Sequence, residues 1–307
     1  MRLAFVFPDH IAHRPGALRP WRGHPAAAVL EEVEQGSGRD LAAMADEHDP
    51  AGWTTDAQPA VLAASLVALR SLAQAGLRPD VVAGHGLGEV TAAVAAGVLS
   101  PRDGVTFATA RGAAMAAASE TTPGGMTTVL RLGRDAVEVI VDGIEHATIA
   151  ADDAPGQVVV AGSPDALLDL RRGVRIAGGR VVPLRAQGAF HSPAMAAAVP
   201  RLAATLQRPS LHDPRLPMVS AVTADLVSSR SEIATALVAG PQTLIRWREV
   251  QARLVTLGVT HVVEVGPGGG LSALAARTAP TLMVHHVAAP DDLGSVLDAL
   301  LPLEVAV

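Results

Sequence analysis

In the stretch "DVVAGHGLGEV", residues 80–90, three glycines (Gly84, Gly86 and Gly88) alternate between an apolar run and a helix-forming run. The pattern G-x-S-x-G in that setting is a sharp strand-to-helix turn that exposes a nucleophilic serine. Here the middle residue is Gly86, which has no side chain and cannot attack a carbonyl. The remaining chemistry-bearing residues are histidines and arginines. His191 lies in "GAFHSPAM" (188–195), and Arg111 in "RGAAM" (111–115). A neutral imidazole can take a proton near pH 7. A guanidinium can hold a carboxylate through two parallel hydrogen bonds. Each also has an ordinary reading, His191 as a hydrogen-bonded core residue and Arg111 as a helix-surface arginine.

Elements must exist to position these groups. "LAFVF" (3–7) is a short continuous apolar run suited to a buried parallel strand, and "DVVAG" (80–84) reads as a second buried strand. Residues 9–25 read as loop. A helix is expected from about Asp56 to Gly76, and another in "GLGEVTAAVAAGVL". The middle of the chain reads strand "MTTVLRL", helix "RDAVEVIVDGI", strands "ATIAA" and "GQVVVAG" joined by the polar turn "DDAP", helix "SPDALLDLRRGV" and strand "GRVVPLR". That β-α-β-β-α-β order is the ferredoxin-like unit. The expected fold is α/β: a hydrolase-like core with a parallel sheet (residues 1–123 and 189–307) carrying an inserted ferredoxin-like subdomain (124–188), with a cleft between them.

Composition narrows the function. With 307 residues, 49% hydrophobic and 18% charged, the chain can bury a large core. A net charge of −6 without a basic run argues against nucleic acid as a partner. The absence of cysteine excludes disulfides and thiolate chemistry. No apolar run reaches membrane-spanning length and no signal segment is visible, so a cytoplasmic protein without a membrane partner is expected. The adjacent His285 and His286 face opposite sides of a strand-like run, and no ligand set has metal spacing, so no metal is expected. "GPGGG" (266–270) lacks the Lys-Ser/Thr of a phosphate loop and reads as a tight turn.

Together these stretches resemble the malonyl-CoA:acyl-carrier-protein transacylase family, including polyketide synthase acyltransferase domains. "GHGLGEV" is similar to its G-H-S-L-G-E, "RGAAM" to R-G-x-x-M, and "GAFHSPAM" to the block with the catalytic histidine. "APGQVVVAG", "IRW" and "EVGPGGGL" match further blocks in order. The resemblance implies that His191 is the catalytic base, that Arg111 pairs with a substrate carboxylate, and that the Leu87 N–H is an oxyanion donor beside Gly86. It also implies that the Gly240 carbonyl, where the family has glutamine, orients His191. Leu87 and Phe190 match the malonyl-selective versions. Where the family reads F-P-G-Q-G this chain has "FPDHI", which puts His10 at the glutamine, either as a second acid/base or as a solvent-facing loop residue. His85 is expected to be structural or to line the cleft, Glu89 to stabilise the N-terminus of the elbow helix, and Ser192 is not expected to act as nucleophile.

The resemblance implies an acyl-CoA or acyl-carrier-protein thioester as substrate, an acyl carrier protein as partner and no bound cofactor. Without the serine, direct transfer to an acceptor hydroxyl, amine or water with no covalent intermediate is expected. The alternatives are a non-catalytic module that docks a carrier protein, or an acyl-thioester hydrolase.

Overall fold

The computed structural model describes residues 1–46, 53–207 and 210–301. Strand β1 (Leu3–Phe7) leads through single 3-10 turns to α1 (Ala28–Ser37), α2 (Leu41–Asp46) and the long α3 (Trp53–Gln74). Strand β2 (Val81–Gly84) and its glycine turn open into α4 (Gly88–Ala95) and α5 (Pro101–Thr121). Then follow β3 (Gly125–Leu130), α6 (Arg134–Asp142), β4 (Ala147–Ala154), β5 (Gln157–Gly162), α7 (Pro164–Ile176) and β6 (Arg180–Pro183). After the loop with His191 come α8 (Val199–Leu206), β7 (Met218–Val219), β8 (Leu226–Val227), α9 (Arg230–Ala239) and α10 (Trp247–Thr256). The described chain closes with β9 (His261–Val265), α11 (Gly270–Thr278), β10 (Met283–Val287) and α12 (Pro290–Leu300).

Two sheets result. The larger has the order β10-β9-β1-β2-β7-β8 and is parallel apart from the β7–β8 pair. Its central strands β1 and β2 are buried along their whole length, as continuous apolar runs require when helices cover both faces. The smaller sheet is antiparallel, order β4-β5-β3-β6, with α6 and α7 packed on it. It has its own apolar cluster, which includes Val129, Val158, Val160, Leu170 and Val174.

One sequence expectation fails here. "DDAP" is not a turn: Asp152 and Asp153 lie inside β4 and are buried, and the chain reverses one step later at Pro155–Gly156. Register irregularities in β4 accommodate the two carboxylates, and each is held from the larger layer. Arg248 Nη2 pairs with Asp152 at 2.8 Å, and His85 Nε2 meets Asp153 Oδ1 at 3.0 Å. Local polarity suggested a turn, but cross-layer partners make a buried strand possible. Arg277 Nη1 adds a donation to Gln157 Oε1 at 2.8 Å across the same seam.

Candidate active site

The turns after β1 and β2 lie side by side because these strands are parallel neighbours, with Phe7 opposite Gly84. Both therefore leave the carboxyl edge of the sheet, the usual position of ligands in open α/β sheets. The glycine turn is as tight as its spacing suggests. A Cβ on Gly84 would lie 2.0 Å from the Gly88 carbonyl, and one on Gly88 would lie 2.0 Å from the Phe7 carbonyl oxygen. Gly86, at the apex, is in the left-handed region with φ +55°.

The space beside Gly86 is filled by Asp9. A Cβ built on Gly86 would stand 1.8 Å from Asp9 Oδ2. That oxygen accepts the Leu87 N–H at 3.0 Å, and Oδ1 accepts the Ile11 N–H at 3.1 Å. The expected oxyanion donor is thus already engaged by a carboxylate of the chain itself. Burial would raise Asp9's pKa, but the charge of His10 and its contact, with His85 and His191, hold it well below the usual carboxylate range.

His10 is not a solvent-facing loop residue: it is buried and lines the cavity. It is 1% exposed, its Nδ1 lies 2.5 Å from Asp9 Oδ1, and its ring meets Phe190 edge-on at 5.5 Å. The Nδ1 contact is close but outside hydrogen-bond geometry, as adjacent residues enforce, so we read it as electrostatic support for Asp9.

His191 is held as the resemblance implied. Its backbone takes φ +57°, its N–H donates to the Pro241 carbonyl at 2.7 Å, and Nδ1 lies 2.8 Å from the Gly240 carbonyl. Since a carbonyl only accepts, Nδ1 carries the proton and Nε2 keeps its lone pair. Burial, then the Arg111 charge, push its pKa down to about 3, so the ring is neutral at pH 7.

Arg111 does not line the cleft, contrary to the sequence reading. It is 2% exposed on α5, donates to Gln58 Oε1 at 2.7 Å, and is absent from the cavity wall. Burial lowers its pKa, while the nearby Asp9 and Glu89 oppose this. Arg111→Ala is therefore expected to destabilise the fold by about 3 kcal/mol. It should also affect acetyl and malonyl thioesters equally. Thermal melts and parallel assays with the two thioesters would check both parts.

Glu89 lies in the first turn of α4, is buried and accepts a hydrogen bond from the Ser220 hydroxyl. Burial pushes its pKa up to about 7. A raised carboxyl contributes stability below its unfolded pKa that is lost as pH rises through the folded value. Glu89→Gln should therefore be more stable than the parent at pH 8, by on the order of 2 kcal/mol. At pH 4 the difference should shrink, and melts at both pH values test it.

His85 lines the cavity, joined to Asp153 and edge-on to Trp247. Burial would lower its pKa, but the hydrogen bond and charge of Asp153 raise it, with Asp9 and Glu89 adding to the effect. Ser192 caps the following 3-10 helix, and its hydroxyl donates to the Ala189 carbonyl. His285 and His286 face apart as expected: His285 stacks on His261, and His286 meets the Gly266 carbonyl. Among the described residues no group of three or more acidic or imidazole side chains is placed to hold a metal. No helix of theirs is long and apolar enough to cross a membrane.

A cavity of about 480 Å³ opens onto Asp9, His10, His85 and His191. Its wall toward the smaller sheet and α11 is largely apolar, with Met126, Val159, Leu184, Ile245 and Leu274. Sequence reasoning missed Asp9 and Asp153. The available signal for Asp9 was its place directly after β1, at the sheet edge shared with the glycine turn. Nothing comparable marked Asp153.

Residues 6–288 match the acyl transferase domain family. A malonyl CoA-acyl carrier protein transacylase of Bacillus subtilis is 30% identical over 97% of both chains. The crystal structure of an acyl-carrier-protein S-malonyltransferase from Burkholderia pseudomallei superposes with a TM-score of 0.92 at 30% identity, covering 97% of this chain and all of that one. A malonyl-transacylase bound to its type II polyketide synthase acyl-carrier protein superposes at 0.91 and 28% identity, covering 97% of this chain and all of that one.

Proposed function

Because the chain belongs to the acyl transferase domain family, we propose that it transfers an acyl group from a coenzyme A or carrier-protein thioester without a serine acyl-enzyme. In this reading Gly86 stands where the family motif has serine, and His191 is the general base. The observation that carries it is His191: the Gly240 carbonyl fixes Nδ1–H, leaving an unprotonated Nε2 on an imidazole that lines the cavity. Of the surrounding charges, Asp9 favours the protonated imidazole. Residues 124–188 serve as a ferredoxin-like subdomain whose sheet helps line the acyl chamber.

The partner in this reading is an acyl carrier protein, as for the relatives whose names state one. The test is intact-mass monitoring of an acylated carrier protein incubated with this protein, with and without a thiol, hydroxyl or amine acceptor. Acyl loss that depends on the protein is expected, and an unchanged carrier under all conditions would reject the reading. A second reading, a non-catalytic module that docks a carrier protein, is favoured by one observation: the Leu87 N–H is occupied by Asp9. The same assay combined with a binding measurement decides between them, because that module binds the carrier and leaves it acylated.

A further inference from the structure

We propose that Asp9 is the acyl-accepting nucleophile of this site, its carboxylate standing in for the missing hydroxyl. The inference rests on the acyl-transfer reading above and adds the group that takes the acyl. Asp9 Oδ2 lies 1.8 Å from where the Cβ of a residue at position 86 would be. A serine oxygen stands one C–O bond from that Cβ, so Oδ2 occupies the volume a serine side chain would fill at the apex of the turn. The carboxylate is 8% exposed, lines the cavity and lies near enough to His191 for their charges to interact. Two backbone N–H donors, from Ile11 and Leu87, set its orientation. It reached this place on a different loop from the glycine turn, and only a glycine at 86 leaves room for it.

A carboxylate needs no base to become a nucleophile, which suits a site whose imidazole is a weak base when empty. In the first half-reaction Oδ2 attacks the thioester carbon, a C–O bond forms and the C–S bond breaks. The electron pair leaves on sulfur as a thiolate, a good leaving group for a thiol with pKa near the ~8.5 of cysteine. The product is a mixed anhydride on Asp9. In the second half-reaction the acceptor thiol attacks the acyl carbon, its proton passes to His191 Nε2, and the C–O bond to Asp9 breaks. The pair returns to the carboxylate, and His191 releases its proton to solvent.

The chemistry predicts one signature that a structural aspartate lacks, and an exchange rate that must depend on the Asp9 carboxylate. With acyl-CoA and hydroxylamine, peptide mass spectrometry should find a hydroxamate at Asp9, formed only when acyl-CoA is present. With labelled free coenzyme A as the only acceptor, label should exchange into acyl-CoA. Asp9→Asn, which keeps an oxygen for the Leu87 N–H, should lose exchange by on the order of 10² or more. It should still bind the carrier protein. Acyl transfer to an acceptor with neither hydroxamate nor exchange would overturn the role of Asp9 and leave the transfer reading standing. Neither transfer, exchange nor hydroxamate would reject both. Exchange at the parent rate in a folded Asp9→Asn protein would also overturn the proposal.

Discussion

Gly86→Ser alone is expected to give no serine ester, whereas the pair Asp9→Gly with Gly86→Ser is expected to give one. The reason is steric and electrostatic. At the apex the new Cβ would stand 1.8 Å from a carboxylate oxygen held by the Leu87 N–H and braced through its partner oxygen by the Ile11 N–H. The single substitution must expel Asp9 into a buried surrounding where its charge loses those donors. The left-handed φ of +55° adds about 1–2 kcal/mol for a residue with a side chain. Removing the carboxylate frees the volume and returns the Leu87 N–H to a carbonyl oxygen, and His191 Nε2 is then available to a hydroxyl. Intact-mass measurement after incubation with malonyl-CoA should show one added acyl group on the double variant and none on the single. Acylation of the single variant at the introduced hydroxyl would mean that Asp9 is not firmly seated.

His191→Ala should have the other large effect, a fall in acyl transfer of about 10² to 10⁴. Only the acceptor step needs its proton-accepting nitrogen. Exchange between acyl-CoA and free coenzyme A, whose thiol is partly ionised already, should therefore fall less than transfer to a neutral hydroxyl or amine. Carrier-protein binding should be unchanged, because the ring is 3% exposed and offers no outer surface. Rate measurements with thiol and hydroxyl acceptors, beside a binding titration, give the three values. An equal loss in every assay would point to collapse of the loop that the Gly240 and Pro241 carbonyls hold, and not to a lost base.

The sequence was sufficient for much of the frame. The runs at 3–7 and 80–84 declared buried parallel strands, and the G-x-G-x-G spacing declared a sharp strand-to-helix turn. The alternation of short elements from 125 to 183 foretold the antiparallel layer. His191 and its carbonyl partner at Gly240 were legible because ordered motifs tie them to known neighbours. All of these are local patterns, and local periodicity is what a chain displays before it folds.

Contacts between distant segments were not legible. Asp9 and Gly86 are 77 positions apart, and only the pairing of β1 with β2 sets one against the other. Arg111 read as a cleft-lining group because its motif says nothing of Gln58, which holds it inside on α5. "DDAP" read as a turn because two adjacent carboxylates are costly in a strand until Arg248 and His85 arrive from another layer. The meaning of a charged residue is set by what compensates it once water is gone, and that partner is chosen by tertiary packing.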